Sequence, residues 1–481
     1  MKSKKSRLRL KRISAYLSIW VLVVAMFFIQ IEPVLAQSNQ MRYITDEQGR
    51  ALILHGLNTA SSSKDAVDGM PWVKQKDVER EAKVLGFNFV RFLIFWSHIE
   101  PKPGVYNEQY LDRVAERVKW YQDQGMFVLL DMHQDLYGPA TSGNGAPAWA
   151  TYTDGLPVEY QTPWALTYLQ PGVIRAFDHF WNVTNKHPEL EDHYVKAWKH
   201  VANRFKDHPA VIGYDLMNEP YGGRVIWPFF EPLELKPMYE RVINGIRQID
   251  KKRWIFFEPQ AFGPNQGLPS TLPSLQDPRE GESRLVYAPH LYPLSLEIGG
   301  GYTGVTKELV RFAVNNWKNS RQDEIAKYRT PFVVGEFGLN ITSPGAMDYV
   351  DDVLAMIDQS GGSWAYWSSD PGSWGPYDED GDLNELASHL SRPYPRAIAG
   401  EPINWHYDTT KRVLSVKWKK KAQVTGSTDI FIPLEDYPQG WELVENDTGK
   451  HSSIDWDEHT RILKITPDPK QSEYMIQIKP K

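Results

Sequence analysis

The sequence predicts an α/β protein: a (β/α)8 barrel, or TIM barrel, followed by a small C-terminal antiparallel β-sandwich. Two observations lead to this prediction. From about residue 50 to residue 370, short apolar runs alternate with longer amphipathic stretches. Eight such alternations over ~300 residues favour a closed barrel over an open sheet. After about residue 391, the runs become short and alternate between apolar and polar residues, which is typical of antiparallel strands.

Eight apolar runs are the predicted barrel strands. Most are continuously apolar, as expected for parallel strands that are covered on both faces. They lie at residues 52–57, 89–95, 127–132, 211–217, 254–257, 285–288, 332–335 and 364–367. The predicted amphipathic helices between them include residues 75–85, 108–124, 194–206 and 237–250. Gly86 and Gly125 follow the first two of these helices and allow the chain to turn back into a strand.

One predicted connection is much longer than the others. Residues 134–193 follow the third predicted strand and are rich in Gly, Pro, Trp and Tyr. Connections of this length are usually functional or disordered, and this one is too aromatic for disorder. It leaves the carboxyl-terminal face of the barrel, where the active sites of such barrels lie. We therefore expect this connection to form one wall of a substrate cleft.

Beyond the barrel, the chain has two further predicted segments. Residues 1–36 begin with seven Lys and Arg residues, continue with an apolar stretch and end in Val34-Leu35-Ala36. This order is typical of a secretory signal peptide, although an uncleaved membrane anchor fits the same residues. The barrel is expected at residues 37–395, with a linker at 392–395, and the sandwich at residues 396–481. The protein is therefore expected outside the cell, either released or tethered. The sandwich is expected to cap the barrel, with carbohydrate or membrane binding as the alternative.

Composition excludes several classes of function. The formal net charge is −6, and it becomes −12 when residues 1–36, with seven basic and one acidic side chain, are removed. This balance argues against nucleic acids and anionic lipid surfaces as main partners, because both require a positive surface. The absence of Cys excludes disulfides, a catalytic thiol and thiolate zinc sites. The 18 Trp and 24 Tyr favour sugar binding, because flat aromatic rings complement the faces of sugar rings.

Two glutamates at predicted strand ends are the candidate catalytic residues. Glu219 follows the fourth strand and Glu336 the seventh. A carboxylate directly after an apolar strand usually has a functional reason, because desolvating a charge is costly. Two facing carboxylates suit retaining glycoside hydrolysis, in which one attacks the anomeric carbon and the other protonates the leaving oxygen. The alternative is that each is a structural carboxylate. Glu258, after the fifth strand, is better explained as structural support or a substrate contact.

The residues around both glutamates resemble glycoside hydrolase family 5, whose members are retaining (β/α)8 enzymes. The resemblance rests on Asn218-Glu219-Pro220 and on Gly335-Glu336-Phe337-Gly338. It implies that Glu219 is the acid/base and Glu336 the nucleophile. It also implies that Arg91 keeps the nucleophile ionised through hydrogen bonds and that Trp367 is the platform beneath the sugar.

The same resemblance assigns further residues to the site. Asn218 would contact the 2-hydroxyl of the substrate, and His133 would line the first subsite. His290 would lie near the acid/base, and Tyr292 near the nucleophile.

A narrower similarity is to the endoglycoceramidases, which release an intact glycan from the ceramide of a glycosphingolipid. It implies that Lys64 and Asp135 bind sugar hydroxyls and that Trp181, or another loop Trp, stacks against the glycan. The apolar residues at 226–230 could line a groove for the lipid or anchor the following helix. The runs that carry the similarity are His55-Gly56-Leu57-Asn58, Ser62-Ser63-Lys64-Asp65 and Asp131-Met132-His133-Gln134-Asp135.

The predicted function is thus a secreted retaining β-glycosidase that cleaves glycosphingolipids. We expect no metal, no organic cofactor and no nucleic-acid partner. A monomer with transient contact to a membrane or micelle surface is expected. The first alternative is an endo-β-1,4-glucanase or mannanase of the same family, and the second is a non-catalytic protein that binds glycans or lipids. The acidic run at residues 378–382 lacks the spacing of an EF-hand and is expected to be a solvated turn.

Overall fold

The computed structural model describes residues 42–59, 61–297, 300–445 and 451–481, so the predicted signal segment at residues 1–36 lies outside them. Within these ranges, no helix combines the length and the apolar character that a membrane span needs.

The strands are β1 (Ala51–Leu52), β2 (His55–Asn58), β3 (Phe89–Ile94), β4 (Phe127–Met132), β5 (Val211–Asp215), β6 (Trp254–Phe257), β7 (Leu285–Tyr287), β8 (Val334–Phe337), β9 (Trp364–Tyr366), β10 (Tyr394–Ile398), β11 (Glu401–Asp408), β12 (Val413–Lys419), β13 (Thr428–Phe431), β14 (Trp441–Glu445), β15 (His451–Asp457), β16 (Ile462–Pro467) and β17 (Glu473–Pro480). The helices are α1 (Gln75–Lys83), α2 (Trp96–Ile99), α3 (Glu108–Asp123), α4 (Pro171–Phe180), α5 (Glu189–Phe205), α6 (Lys236–Arg247), α7 (Leu294–Glu297), α8 (Gly304–Tyr328), α9 (Ala346–Asp358) and α10 (Glu385–Leu390).

Strands β2 to β9 form the predicted barrel. They are hydrogen-bonded in chain order in one eight-stranded sheet, in which β9 returns to β2 and every neighbouring pair is parallel. Two parallel bridges, Tyr287 to Phe332 and Leu291 to Phe337, join β7 to β8 and close the ring. The strand residues are buried almost throughout, because their side chains fill the barrel or lie beneath the surrounding helices. The predicted fold class is confirmed.

The apolar run predicted as the first barrel strand, at residues 52–57, belongs to two different sheets. Ala51 and Leu52 pair with β10 in the sandwich, and the barrel strand begins only at His55. The prediction was wrong here because the residues on both sides of the crossing are buried, so the sequence pattern does not show where one sheet ends and the next begins. The seventh strand is also displaced. It covers Val334–Phe337 instead of residues 332–335, which places Glu336 within the strand.

The long connection after β4 is packed by its own aromatic side chains. Tyr137 and Tyr168 both contact Phe177, with ring centroids 5.2 and 6.2 Å apart. Trp181 is only 3% exposed, and its Nε1 donates to the Tyr221 carbonyl at 2.8 Å. The prediction that Trp181 stacks against the glycan is therefore wrong, because its indole ring fills the core. Trp164, in contrast, is 41% exposed.

Strands β1 and β10 to β17 form two antiparallel sheets, in the orders β1-β10-β13-β16-β15 and β11-β12-β17-β14. The linker predicted at residues 392–395 is partly strand, since β10 begins at Tyr394. The ring of Tyr394 stacks on His55 with centroids 3.7 Å apart, and its hydroxyl donates to the Gly86 carbonyl at 2.8 Å. A side chain at Gly86 would collide with the ring of Phe431. These contacts lie at the amino-terminal ends of the barrel strands, opposite the face that carries the candidate catalytic residues.

Candidate active site

Glu336 lies near the carboxyl-terminal end of β8 and is buried. Its Oε1 accepts a hydrogen bond from Arg91 Nη1 at 2.6 Å, and its Oε2 accepts one from the Tyr292 hydroxyl at 3.0 Å. A guanidinium and a hydroxyl thus hold the two oxygens and fix the plane of the carboxylate. Arg91 and Tyr292 lie beside the candidate nucleophile, where the resemblance places them.

Glu219 follows β5 in a left-handed backbone conformation, with a φ of 44°. Non-glycine residues adopt this conformation at an energetic cost, and it is enriched at functional sites. Three sets of contacts hold the residue. Its N–H donates to Glu258 Oε2 at 2.9 Å, and its carbonyl accepts from Gln134 Nε2 at 3.0 Å. Its Oε1 accepts from Asn265 Nδ2 at 2.7 Å and contacts His290 Nδ1 at 3.0 Å.

The two glutamates face each other closely across the barrel mouth. One oxygen of Glu219, one oxygen of Glu336 and one ring nitrogen of His290 all lie within 4.8 Å of one another. Retaining glycosidases hold their carboxyl groups about 5–5.5 Å apart, whereas inverting enzymes need about 6.5–9.5 Å to admit a water molecule. The observed spacing is that of the retaining class.

Arg91 is the centre of a buried ionic cluster. Its guanidinium nitrogens lie 2.6 to 2.9 Å from carboxylate oxygens of Asp131, Asp215, Glu258 and Glu336. Burial disfavours the charged form of Arg91, yet these four neighbours hold its pKa well above the ordinary value. Burial raises the pKa of Asp215 well above its ordinary range, and the neighbouring Glu258 and Asp131 raise it further against the effect of Arg91. Burial in this cluster thus favours the protonated form of Asp215.

Two clusters of acidic residues have a spacing or a composition that would suit a bound cation. Asp131, Asp215 and Glu258 place one oxygen each within 4.8 Å of one another, but the guanidinium of Arg91 lies among them and supplies the positive charge. In the acidic turn, Asp378 Oδ1 accepts from the backbone N–H groups of residues 380 and 382 at 3.0 and 2.9 Å. That carboxylate therefore closes the turn. Catalysis without a metal or organic cofactor stays a prediction.

His290 lies between the two candidate catalytic glutamates. Its Nδ1 lies 3.0 Å from Glu219 Oε1 and 3.7 Å from Glu336 Oε2, while its Nε2 lies 3.2 Å from Glu258 Oε1. Burial alone would lower the pKa of the ring, but Glu258, Glu336 and Glu219 together raise it well above its ordinary value. The ring is therefore charged at neutral pH and presents an N–H on each side.

A flat ring and polar side chains form the predicted sugar subsite. Trp367 is partly exposed and stacks on His133, with ring centroids 5.6 Å apart. Lys64 Nζ lies 4.3 Å from the centroid of the Trp367 ring and 2.6 Å from Asp135 Oδ2. Burial would raise the pKa of Asp135, but Lys64 and His133 lower it. Asp135 is therefore an anion that can accept hydrogen bonds from sugar hydroxyls.

Two neighbouring polar residues complete the subsite. Burial and Lys64 lower the pKa of His133, but Asp131 and Asp135 outweigh them and raise it. Asn218 Oδ1 accepts from Arg91 Nη2 at 3.0 Å, and its Nδ2 donates to the Gln134 carbonyl at 2.9 Å. Because an amide carries two N–H donors, Asn218 retains one for a substrate hydroxyl. All ten predicted site residues lie in one connected network, while their individual roles toward the substrate stay predictions.

The network also contains residues that the sequence did not single out. Asn58 Oδ1 accepts from Arg91 Nη1 at 3.0 Å, and its Nδ2 donates to the Gly335 carbonyl at 3.1 Å. Gln134 holds the carbonyls of both Asn218 and Glu219. Asn58 and Gln134 lie in runs that carry the endoglycoceramidase similarity, so that similarity could have identified them as site residues. Asn265 lies in a loop outside every motif, and nothing in the sequence marks it.

A (β/α)8 barrel with two closely facing glutamates at the carboxyl-terminal ends of its fourth and seventh strands, β5 and β8, defines a retaining glycosidase. The family model for cellulases of glycosyl hydrolase family 5 matches residues 45–373, and the model for the family's C-terminal domain matches residues 392–479. The chain belongs to glycoside hydrolase family 5, and it is a retaining glycoside hydrolase.

The chain is similar over most of its length to endoglycoceramidases. It is 30% identical to endoglycoceramidase I of Rhodococcus hoagii, covering 89% of this chain and 85% of the relative. It is 25% identical to the endoglycoceramidase of Cyanea nozakii, covering 90% of each chain. Among solved structures, endo-glycoceramidase II from Rhodococcus sp. in complex with ganglioside GM3 superposes with a TM-score of 0.87 at 45% identity, covering 92% of this chain and 100% of that one. The lactosyl-enzyme intermediate of the same protein has a TM-score of 0.85 at the same identity and coverage.

Proposed function

We propose that this hydrolase is an endoglycoceramidase, which cleaves the β-glycosidic bond between the glycan and the ceramide of glycosphingolipids. The observation that carries the proposal is an exposed apolar segment in the loop that begins at the acid/base. The relatives named endoglycoceramidases support it, as does the similar Rhodococcus protein whose structure contains ganglioside GM3.

The side of the site on which the lipid must lie follows from the chemistry. Glu219 protonates the leaving oxygen, so the ceramide must extend from the side of Glu219. In the loop that follows, Phe230 and Leu235 are fully buried, whereas Ile226 and Phe229 are 69% and 61% exposed. The buried pair is sufficient to anchor the following helix. The exposed side chains are therefore available to contact a lipid chain.

A buried carboxylate holds this apolar loop in place. Glu231 accepts hydrogen bonds from Gln260 N at 3.0 Å, from Ser270 Oγ at 2.9 Å and from Thr271 Oγ1 at 2.8 Å. These partners belong to the loop after β6, so two loops of the barrel mouth are joined. The exposed apolar residues are thus presented on a fixed support. We propose that they also make transient contact with the surface of the membrane or micelle that contains the substrate.

The proposed reaction proceeds in two steps. Glu336 attacks the anomeric carbon while Glu219 gives its proton to the oxygen of the departing ceramide, which forms a glycosyl–enzyme ester. Water then attacks the same carbon as Glu219 removes its proton, and the ester bond to Glu336 breaks. Two inversions leave the released glycan with its original β configuration.

Incubation with ganglioside GM3 and, separately, with soluble β-glucan and β-mannan tests the proposal. We expect free ceramide and the intact GM3 oligosaccharide in equal amounts, identified by mass spectrometry, and no shortening of the polymers. Cleavage of a polymer without release of ceramide would instead assign an endoglucanase or mannanase activity. Binding of GM3 without turnover would assign a non-catalytic role.

A variant in the apolar loop makes the same test more specific. Phe229→Ser should lower kcat/KM on GM3 by about tenfold, because the lipid loses an apolar contact, while kcat/KM on dinitrophenyl β-lactoside stays unchanged. Ile403→Ser is the matched control, since Ile403 is also exposed but lies in the sandwich. Equal effects of both variants would contradict a lipid role for this loop.

We also propose that the hydrolysis takes place outside the cell, on the basis of the basic, apolar and small-residue order of residues 1–36. Cleavage after Ala36 should give a protein in the growth medium that begins at Gln37. Amino-terminal sequencing of the extracellular protein measures this directly. A chain that stays in the membrane fraction with residues 1–36 attached would show a tethered enzyme instead.

A further inference from the structure

Asn265 is a buried polar residue that contacts the carboxyl group of the acid/base. We propose that Asn265 is a positioning residue for Glu219, and that it determines which oxygen of Glu219 carries the proton that is transferred. The inference rests on Glu219 being the acid/base of a retaining hydrolase and does not depend on the identity of the aglycone.

The contacts of Glu219 distinguish its two oxygens. Oε1 accepts from Asn265 Nδ2 at 2.7 Å and contacts His290 Nδ1 at 3.0 Å. Among the residues that the structure describes, no group forms a hydrogen bond with Oε2. A proton on Oε1 would be directed toward two N–H donors, which is unfavourable. The transferable proton therefore lies on Oε2, which is the oxygen available to the glycosidic bond.

Asn265 differs from His290 in that it is a neutral donor to Glu219. His290 Nδ1 is also 3.7 Å from Glu336 Oε2, so the charge of the ring acts on both the nucleophile and the acid/base. Asn265 has the shorter contact, and among the described residues no second carboxylate accepts a hydrogen bond from its side chain. Being neutral, it orients Glu219 in both protonation states without adding a charge to a site that already contains the charged groups around Arg91.

The backbone around Asn265 is connected to both catalytic glutamates. Its N–H donates to the Ala261 carbonyl at 3.2 Å, and the N–H of Ala261 donates to the carbonyl of Pro220, the residue after Glu219, at 3.0 Å. Its carbonyl accepts from the N–H of Tyr292 at 2.9 Å, and the Tyr292 hydroxyl contacts Glu336. Asn265 is 4% exposed. The loop therefore holds the amide at a fixed place relative to both reacting groups.

Both steps of the reaction depend on this arrangement. In the first step the proton leaves Oε2 for the glycosidic oxygen as the bond from the anomeric carbon to that oxygen breaks. In the second step a proton returns to Oε2 from the attacking water, while the bond between Glu336 and the anomeric carbon breaks. Loss of the amide would let the carboxyl group rotate and would impair proton transfer in each step.

The test compares Asn265→Ala and Asn265→Asp with the unaltered enzyme on two aryl lactosides. Phenol is a poor leaving group that needs a proton, whereas dinitrophenolate departs without one. We expect kcat/KM on phenyl β-lactoside to fall about 10- to 100-fold, part of what general acid catalysis contributes, and kcat/KM on dinitrophenyl β-lactoside to stay within about twofold. The kcat on the dinitrophenyl substrate should fall, because the second step needs the base.

The pH profile gives a second measurement that a purely structural role would not change. The alkaline limb of kcat/KM on phenyl β-lactoside should move to higher pH in Asn265→Ala, because the ionised carboxylate loses a donor. It should move further in Asn265→Asp, because a second anion then faces Glu219.

Gln266→Ala is the matched control. It removes a hydrogen bond within the same loop, from Gly263 N to Gln266 Oε1 at 2.8 Å. This hydrogen bond does not involve Glu219, so kcat/KM on both lactosides should stay unchanged. Equal losses of kcat/KM on the two lactosides, or an unchanged kcat on dinitrophenyl β-lactoside, would overturn the proposal. Neither lactoside contains ceramide, so the outcome is separate from the GM3 test of the proposed function.

Discussion

Replacing Glu336 with Gln should lower kcat on every glycoside substrate by at least about 10⁴-fold, the scale of losses when a nucleophile is removed. An amide cannot form the glycosyl–enzyme ester. Its carbonyl oxygen can still accept the hydrogen bond from Arg91, which approaches Glu336 at 2.6 Å. The variant should therefore unfold at nearly the same temperature as the unaltered enzyme. Steady-state rates and thermal unfolding followed by circular dichroism measure the two quantities.

Variants that replace each glutamate with the smaller residue alanine distinguish the roles of the two glutamates. In Glu336→Ala, azide can occupy the place of the missing carboxylate and attack the sugar directly, which gives an α-glycosyl azide. In Glu219→Ala, the ester with Glu336 still forms from a dinitrophenyl glycoside, and azide attacks that ester to give a β-glycosyl azide. The anomeric configuration of each azide is read by NMR. Exchanged configurations would reverse the assignment of nucleophile and acid/base.

Replacing Arg91 with Met should destabilise the fold by about 3 to 5 kcal/mol, because removing one partner leaves the other buried charges uncompensated. Four carboxyl groups surround Arg91, and its side chain is fully buried. Denaturant unfolding of the full chain measures this loss. Arg50→Met is the control, since Arg50 pairs with Asp46 and Asp429 at partly exposed positions, where an ion pair contributes about 0 to 1 kcal/mol.

The loss of stability in Arg91→Met should depend on pH. The pKa of Asp215 is already raised well above its ordinary range in the presence of Arg91. Such a group binds its proton in the folded state and releases it in the unfolded state, so its contribution is present at low pH and is lost as pH rises through the folded pKa. The free energy of unfolding of the variant should therefore be larger at pH 5 than at pH 8. A flat profile would show that the cluster is not desolvated as described.

The two glutamates that face each other in the structure could be singled out from the sequence because each stands directly against an apolar strand, where a charge is costly without a function. Arg91, in contrast, was identified through the resemblance to the family, and it lies within β3. Burial patterns were less informative where two cores meet. The run at residues 52–57 is buried along its whole length, yet it crosses from the sandwich into the barrel, and even its polar residue, His55, is buried.

Loop residues were the hardest to predict. Trp181 and Trp164 lie in the same aromatic connection, but one is buried and the other exposed, and composition cannot separate them. Asn265 contacts Glu219 only because backbone hydrogen bonds bring the loop after β6 toward the strand end that carries Glu219. A short polar loop has no periodicity, so its side-chain directions depend on tertiary contacts.

The formation of an ester between the sugar and Glu336 is the step on which the catalytic assignment depends. A lactosyl fluoride that carries fluorine at C2 forms this ester quickly and releases it slowly, so the labelled enzyme can be digested and sequenced by mass spectrometry. The mass increase should be found on Glu336 and should be absent from Glu336→Gln. A label on Glu219 or Glu258, or inactivation with no covalent label, would contradict the assignment.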